Sequence, residues 1–189
     1  MFAKLRNQAL LVSSCTLLTV FSGCASFRPS PEMPAYGTMG KAQIFEGMGR
    51  HGRVITTDSR EAQEYFNQGL SWIYAVNHDE AVRSFTQAAQ LDPNCAMAWW
   101  GVSYTQGPNY NDPFMSPARS AAAWEAMQNA LARIDDTAPV ERALIKALQS
   151  RYENPPPKER DRLDRAFAEA MAGVWERFPN DSDVGTPTA

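Results

Sequence analysis

Residues 62–93 read AQEYFNQGLSWIYAVNHDEAVRSFTQAAQLDP, and this stretch decides the fold class of the chain. Small residues recur where two antiparallel helices would have to approach closely, and aromatic residues recur on the inner stripe of each helix. The small residues are Gly69, Ala81 and Ala88, and the aromatic residues are Tyr65, Trp72 and Phe85. The pattern therefore predicts two helices packed antiparallel.

The ends of these two helices are also marked in the sequence. Asn77 has a side chain suited to an N-cap, and Glu80 follows three residues later, where it can complete a capping box. Pro93 lacks the N–H that a continuing helix would need, so it ends the second helix. We expect two helices of similar length joined by a short turn.

The spacing resembles that of a tetratricopeptide repeat, whose unit of about 34 residues is one helix pair. Counted from Ala62, the signature slots hold Tyr65, Gly69, Ala81, Phe85, Ala88 and Pro93. Two further large residues, Trp72 and Trp99, complete the set that we expect to pack the repeats together. The resemblance implies an all-α fold, a right-handed α-solenoid, and a role in protein interaction.

The pattern continues downstream and predicts about three helical hairpins. A second unit opens at Ala96, and a loop rich in turn formers, residues 107–113, separates its two helices. The remaining predicted helices are 117–135, 138–152 with Thr137 as its cap, and 158–178 with Pro179 after its end. Three hairpins are near the minimum for a solenoid, whose units stabilise one another through neighbour contacts.

The last residues depart from this pattern. Asn-Asp-Ser-Asp at 180–183 resembles the cap of a seventh helix, but residues 184–189 are expected to be too short to form one. We therefore place the helical domain at 58–183 and a short tail at 184–189, and we expect a truncated member of a longer family. An apolar stripe left uncovered on helix 158–178 would favour self-association.

The N-terminus predicts export and a lipid anchor. Two basic residues precede an apolar run, and Phe21-Ser-Gly-Cys24 resembles a bacterial lipobox, so residues 1–23 are interpreted as a signal peptide. The resemblance implies that Cys24 is lipidated and attaches the chain to a membrane. An uncleaved signal anchor is the alternative, although the apolar run is short for a span. Residues 24–57, rich in proline and glycine, are expected to form a flexible tether.

Composition excludes nucleic acid as a partner. The chain has 18 Lys and Arg against 21 Asp and Glu, and removal of Lys4 and Arg6 with the signal peptide increases the acidic excess. Cys95 is the one cysteine that neither leaves with the signal peptide nor receives the lipid. It is expected to be a small core residue.

A closer resemblance is to bacterial exported tetratricopeptide-repeat lipoproteins. It is carried by Tyr65-Phe-Asn-Gln-Gly-Leu70, Asn77-His-Asp-Glu-Ala81, Leu91-Asp-Pro93 and Cys95-Ala-Met-Ala98. It implies a non-enzymatic interaction module with an unknown protein or peptide as its partner. The expected location is the bacterial cell envelope, at the outer membrane or its periplasmic face, and no cofactor is implied.

The resemblance places the ligand groove on the first helix of each pair. Its expected lining is Gln63, Phe66, Leu70, Ile73, Met97, Trp100 and Tyr104. Phe66 and Leu70 stand where carboxylate-binding members of the superfamily have Lys and Asn, so an apolar peptide or helix is the expected ligand. In the alternative, the chain's own tether or further repeats fill the groove and these residues are core.

A rival hypothesis is a metal- or haem-binding protein, or an envelope enzyme, that uses His51 and His78. Cys95 or Asp79 would complete such a site. Two histidines far apart in the sequence are a weak metal signal, because a closed zinc site takes four ligands and a catalytic site three. The sequence has no Ser/His/Asp set, phosphate-binding loop or dinucleotide fingerprint, so no catalytic or metal residue is predicted.

Overall fold

The computed structural model describes residues 35–38 and 40–188. These residues form seven α-helices and one short 3-10 helix, and they contain no strand. The all-α prediction is confirmed. The predicted signal peptide and Cys24 lie outside the described residues.

The first six helices lie close to their predicted positions. The helices are α1 Arg60–Tyr74, α2 His78–Leu91, α3 Ala96–Gln106, α4 Pro117–Leu131, α5 Pro139–Gln149, α6 Asp161–Arg177 and α7 Ser182–Thr188. The helix predicted to reach 135 ends at Leu131, because the chain tightens into a 3-10 helix over Ile134–Asp136.

Each helix pair packs as the small and aromatic residues predict. α1 contacts α2, α3 contacts α4 and α5 contacts α6, while α1, α3 and α5 also touch in succession. Phe85 of α2 is fully buried and stands against Gly69 of α1 and Gly101 of α3. A Cβ added at Gly69 would lie 2.6 Å from Cε1 of Phe85, so the helices approach this closely only because that Cβ is absent.

Two predicted caps have different outcomes. The Asn77 side chain accepts a hydrogen bond from the backbone N–H of Glu80, which confirms it as the N-cap of α2. Thr137 does not cap α5: its hydroxyl donates to the carbonyl of Ile134, and Ala138 is the N-cap residue. The Ala138 N–H donates instead to the carboxylate of Glu141 at 3.0 Å.

The described part of the expected flexible tether, residues 35–38 and 40–57, packs along the helices. The backbone of Tyr36 exchanges two hydrogen bonds with the Gln106 side chain, and the Phe45 ring meets Trp72 edge-on at 5.4 Å. Thr56 donates from its N–H and its hydroxyl to the buried Glu141, each at 2.7 Å. Glutamine and glutamate side chains of the helices thus supply hydrogen-bond partners that the segment's irregular backbone needs.

The expectation that no seventh helix would form is wrong. Residues Ser182–Thr188 are helical, and Val184 is fully buried. α7 packs on the end of α6, where a Cβ at Gly185 would lie 2.7 Å from the Trp175 ring. α7 therefore shields part of the apolar stripe of α6, although Trp175 remains 37% exposed.

Candidate functional site

A cavity of about 410 Å³ opens where the C-terminal ends of α1, α3 and α5 converge. Its walls come from the helix ends, the turn before α2, the loop after α3, one residue of α6 and two of α7. The lining residues are Ile73, Tyr74, Val76, His78, Tyr104, Thr105, Gly107, Pro108, Asn109, Tyr110, Asn111, Arg151, Phe167, Thr186 and Pro187. The lining is mainly apolar and aromatic, and none of these residues is acidic.

Aromatic rings give the cavity its shape. Tyr104 is stacked on Trp100, with ring centroids 5.1 Å apart and an angle of 13° between the planes. Burial raises the pKa of the Tyr104 phenol, so this ring stays uncharged at neutral pH. Tyr110, on the opposite loop, is 100% exposed. The Tyr104 ring is thus a wall fixed by packing, whereas the Tyr110 side chain is free to contact a ligand.

The loop wall is held by a single buried arginine. Arg119, at the start of α4, is 1% exposed and donates to the carbonyls of Gln106, Gly107 and Phe114. It also forms an ion pair with Asp112, which accepts a second bond, of 2.7 Å, from the Tyr36 hydroxyl. This network fixes residues 107–114, because Arg119 bonds three carbonyls and one carboxylate at positions 106–114.

His78 lies on the cavity wall but is not free to act as a charged group. Its ring stacks on Tyr36 with centroids 5.4 Å apart. Burial and the nearby Arg119 guanidinium hold the pKa of the imidazole below its ordinary value. At neutral pH this wall is therefore neutral and aromatic.

Arg151 brings the cavity its formal charge. It follows the C-terminus of α5, and its guanidinium carbon lies 4.6 Å from the centroid of the Phe167 ring. Nη2 donates to the Pro108 carbonyl at 2.7 Å. Nε is buried and has no hydrogen-bond partner among the described residues.

The far rim of the cavity belongs to α7, which is tied to the N-terminal segment. Tyr74 and His51 both reach Oδ1 of Asp183, at 2.6 and 2.9 Å. Arg53 donates to Asp181 at 2.7 Å. Burial of Asp181 opposes its ionisation, but the hydrogen bond and charge of Arg53 prevail and lower the pKa of this carboxyl. Thr186 and Pro187 are thereby held at the cavity mouth.

The structure separates the seven predicted groove residues into two groups. Ile73 and Tyr104 line the cavity. The other hydrophobic members, Phe66, Leu70, Met97 and Trp100, are buried, at no more than 4% exposed. Gln63 is covered by the N-terminal segment, since its side chain bonds the Arg53 carbonyl and the Ile55 N–H at 2.8 and 3.0 Å. A ligand cannot reach the four buried residues without displacing the chain's own residues.

The residues of the rival hypothesis are held in separate environments. His51 pairs with Asp183, His78 stacks on Tyr36, and Cys95 is buried, which raises the pKa of its thiol to about 11. Within residues 35–38 and 40–188, no three His, Cys, Asp or Glu side chains are placed to hold a metal ion. A thiol with that pKa is protonated at neutral pH and is a poor nucleophile.

Sequence reasoning missed the polar residues that build this site. Arg119 lies near the start of one helix and Arg151 just past the end of another. Neither belongs to a local sequence motif that indicates a site. Their roles depend on contacts with residues far away in the chain, which periodicity does not report.

Comparison with family models, curated proteins and solved structures gives no match to this chain. None of the described helices combines the length and the apolar character that crossing a bilayer requires.

Proposed function

We propose that this chain is a non-enzymatic interaction module that holds a short peptide segment of another protein in the aromatic cavity. The observation that carries the proposal is the cavity itself, with its aromatic walls and about 410 Å³ of space. Ligand sites are concave, mostly apolar and provided with a few polar groups, and their volumes begin near 300 Å³. This volume suits one large side chain and its neighbours and is too narrow for a docked helix.

The same proposal includes a solenoid of tetratricopeptide-like hairpins. Its support is the spacing of residues 62–93 and the contacts of α1, α3 and α5, the first helices of successive pairs. Stacked pairs in such arrays present their first helices on one side, where ligands bind. The C-terminal ends of these three helices are the ones that meet at the cavity.

The proposed location is the bacterial cell envelope, with a lipid on Cys24. The support is the lipobox-like Phe21-Ser-Gly-Cys24 after an apolar run. Expression in a bacterium with a labelled fatty acid should transfer label to the wild-type chain and not to Cys24→Ser. Label retained by the variant would contradict the lipid anchor and leave the peptide site untouched.

The peptide site is tested with an array of short peptides and the full chain solubilised in mild detergent. Peptides with aromatic or large aliphatic side chains should be retained. Tyr110→Ala removes an exposed wall of the cavity and should weaken their binding about tenfold, in the range of an aromatic contact residue. Since Tyr110 is fully exposed, this change should leave folding intact.

Phe114→Ala is the matched control. Phe114 lies in the same loop and is 51% exposed, but it does not line the cavity. Its loss should leave peptide binding unchanged. Equal affinities of wild type and Tyr110→Ala for every retained peptide would place the peptide elsewhere, and retention of no peptide would overturn the proposed function.

A further inference from the structure

We infer that the cavity selects a carboxylate beside the apolar side chain that it accepts, and that Arg151 is the specificity-determining residue that binds this carboxylate. The inference rests on the proposed function, because it names the chemistry of a ligand held in that same cavity. The carboxylate can be the C-terminus of the peptide or the side chain of an Asp or Glu. Both present the same group to the guanidinium.

The cavity wall carries an unbalanced charge. None of the lining residues is an Asp or Glu, and Arg151 is the one arginine or lysine among them. The pKa of His78, the other basic residue of the wall, is lowered by burial and by Arg119, so this imidazole is neutral at pH 7. The wall therefore carries a formal positive charge without a matching negative one.

The hydrogen bonds of the Arg151 guanidinium are incomplete. Its one bond to a described residue runs from Nη2 to the Pro108 carbonyl, and Nε is buried without a partner among the described residues. No carboxylate oxygen of the described residues lies within 4.0 Å of a guanidinium nitrogen of Arg151, the distance that defines an ion pair. Arg119, which bonds the carbonyl of the neighbouring Gly107, is paired with an acid and three carbonyls. Buried or half-buried arginines are normally paired in that way.

The last carbonyls of α3 and α5 beside the cavity are hydrogen-bonded by groups other than the Arg151 guanidinium. The C-terminus of a helix carries partial negative charge on its last carbonyls. At α3, the carbonyls of Gln106 and Gly107 accept from Arg119. At α5, the carbonyls of Ala147, Leu148 and Gln149 accept backbone N–H groups of the following turn. The guanidinium of Arg151 bonds none of them.

The surroundings strengthen an ion pair formed here. The guanidinium carbon lies 4.6 Å from the centroid of the Phe167 ring, which is a cation–π contact. Arg151 is half-buried, so the attraction between opposite charges there exceeds that at an open surface. A charge-assisted bond between the guanidinium and a carboxylate would be about twice as strong as a neutral one.

The test compares matched probes on the full chain by ligand-observed NMR and calorimetry. Phenylpropionate and phenylpropionamide differ only in the carboxylate. We expect the acid to bind about tenfold more tightly than the amide, with the ratio falling as salt rises from about 0.05 to 0.5 M. In Arg151→Gln the ratio should fall to about one, and Arg151→Lys should keep part of it, since the charge remains.

Arg177→Gln is the control for loss of an arginine. Arg177 also lies over a ring, that of Phe178 at 5.3 Å, but it does not line this cavity. The Arg177→Gln variant should keep the wild-type ratio of the affinity for the acid to the affinity for the amide. The comparison of acid with amide on the wild-type chain tests the inference even where Arg151→Gln is unstable.

Peptide probes then distinguish the two sources of the carboxylate. An acetylated Gly-Gly-Phe is compared as free acid and as amide, and an amide-capped Phe-Glu-Gly is compared with Phe-Gln-Gly. Tighter binding of the free acid in the first pair assigns the carboxylate to a C-terminus. Tighter binding of the Glu peptide in the second pair assigns it to an acidic side chain. Equal binding of acids and amides throughout overturns the carboxylate inference while the peptide site stands. Binding of none of the probes, with no peptide retained on the array, overturns both.

Discussion

The phenol of Tyr74, at the end of α1, donates a hydrogen bond of 2.6 Å to Asp183 in α7, 109 positions away along the chain. The same carboxylate oxygen lies 2.9 Å from Nε2 of His51. A helix as short as α7 is marginal by itself in water, so contacts such as these, with burial of Val184, hold it in place. The rim of the cavity therefore depends on residues at both ends of the described chain.

Tyr74→Phe tests this contact. We expect the free energy of unfolding to fall by about 1 kcal/mol, because a bond to a carboxylate is lost while the ring stays. Denaturation in urea measures it. Tyr110→Phe is the control, since the hydroxyl of this fully exposed residue has no partner among the described residues. A loss of the same size in both variants would contradict a specific role for the Tyr74 bond.

Arg119→Met should be among the most destabilising single changes in the chain. It leaves three carbonyls and Asp112 without their buried donor, and removal of one member of such a network costs about 3–5 kcal/mol. Arg60→Met is the control, because its ion pair with Glu64 is on the surface and 92% of the Arg60 side chain is exposed. That pair should contribute less than about 1 kcal/mol. Similar losses in both variants, measured by urea denaturation, would rule out the network.

Gly69→Ala should destabilise the contact between α1 and α2. The new Cβ would lie 2.6 Å from the Phe85 ring, and overpacking of this kind costs about 1–3 kcal/mol. Gly173→Ala, in α6, is the opposite case, because nothing lies within 4 Å of a Cβ there. Alanine is the better helix former, so that change should stabilise the protein by about 0.5–1 kcal/mol. Thermal unfolding of the two variants should move in opposite directions, and a shift of both in one direction would contradict the close approach at Phe85.

His78 should make the protein less stable in mild acid. The pKa of its imidazole is lower in the folded protein than in the unfolded chain, because of burial and the charge of Arg119. The unfolded chain therefore binds more protons below about pH 6.5, and stability declines as the pH falls through that value towards the folded pKa. The lowered pKa of Asp181 acts in a separate window, because its contribution is lost only in stronger acid.

His78→Phe keeps a ring against Tyr36 and removes the proton-binding site. The decline in unfolding free energy between pH 6.5 and pH 5 should be smaller in this variant than in wild type, as followed by urea denaturation at a series of pH values. Parallel curves for the two proteins would show that His78 does not contribute to acid sensitivity.

Much of the fold could be predicted from local patterns. Gly69 and Phe85 predicted the close helix pair, and Asn77 predicted the start of α2 to the residue. Local propensity failed at α7, because Gly185 and Pro187 disfavour a helix. The burial of Val184 and the bonds of Asp183 to distant residues outweigh that preference.

The site could be predicted only in part. Ile73 and Tyr104 stand at cavity positions because they are near the ends of their helices. Phe66 and Trp100 occupy equivalent positions in the predicted repeat pattern, but other residues of the chain cover them. That pattern does not indicate which segment outside it packs over a helix. Arg151 acquires its role from Pro108 and Phe167, which lie on two other elements.

The bond of Arg53 to Asp181 and the bond of His51 to Asp183 also affect how the protein unfolds. In a linear array whose units touch only their neighbours, an end unit can melt while the remainder stays folded. Here the last helix is fastened to the segment that precedes the first, so fraying at one end removes support from the other. Hydrogen exchange should accordingly report α1 and α7 opening together, with similar protection in both.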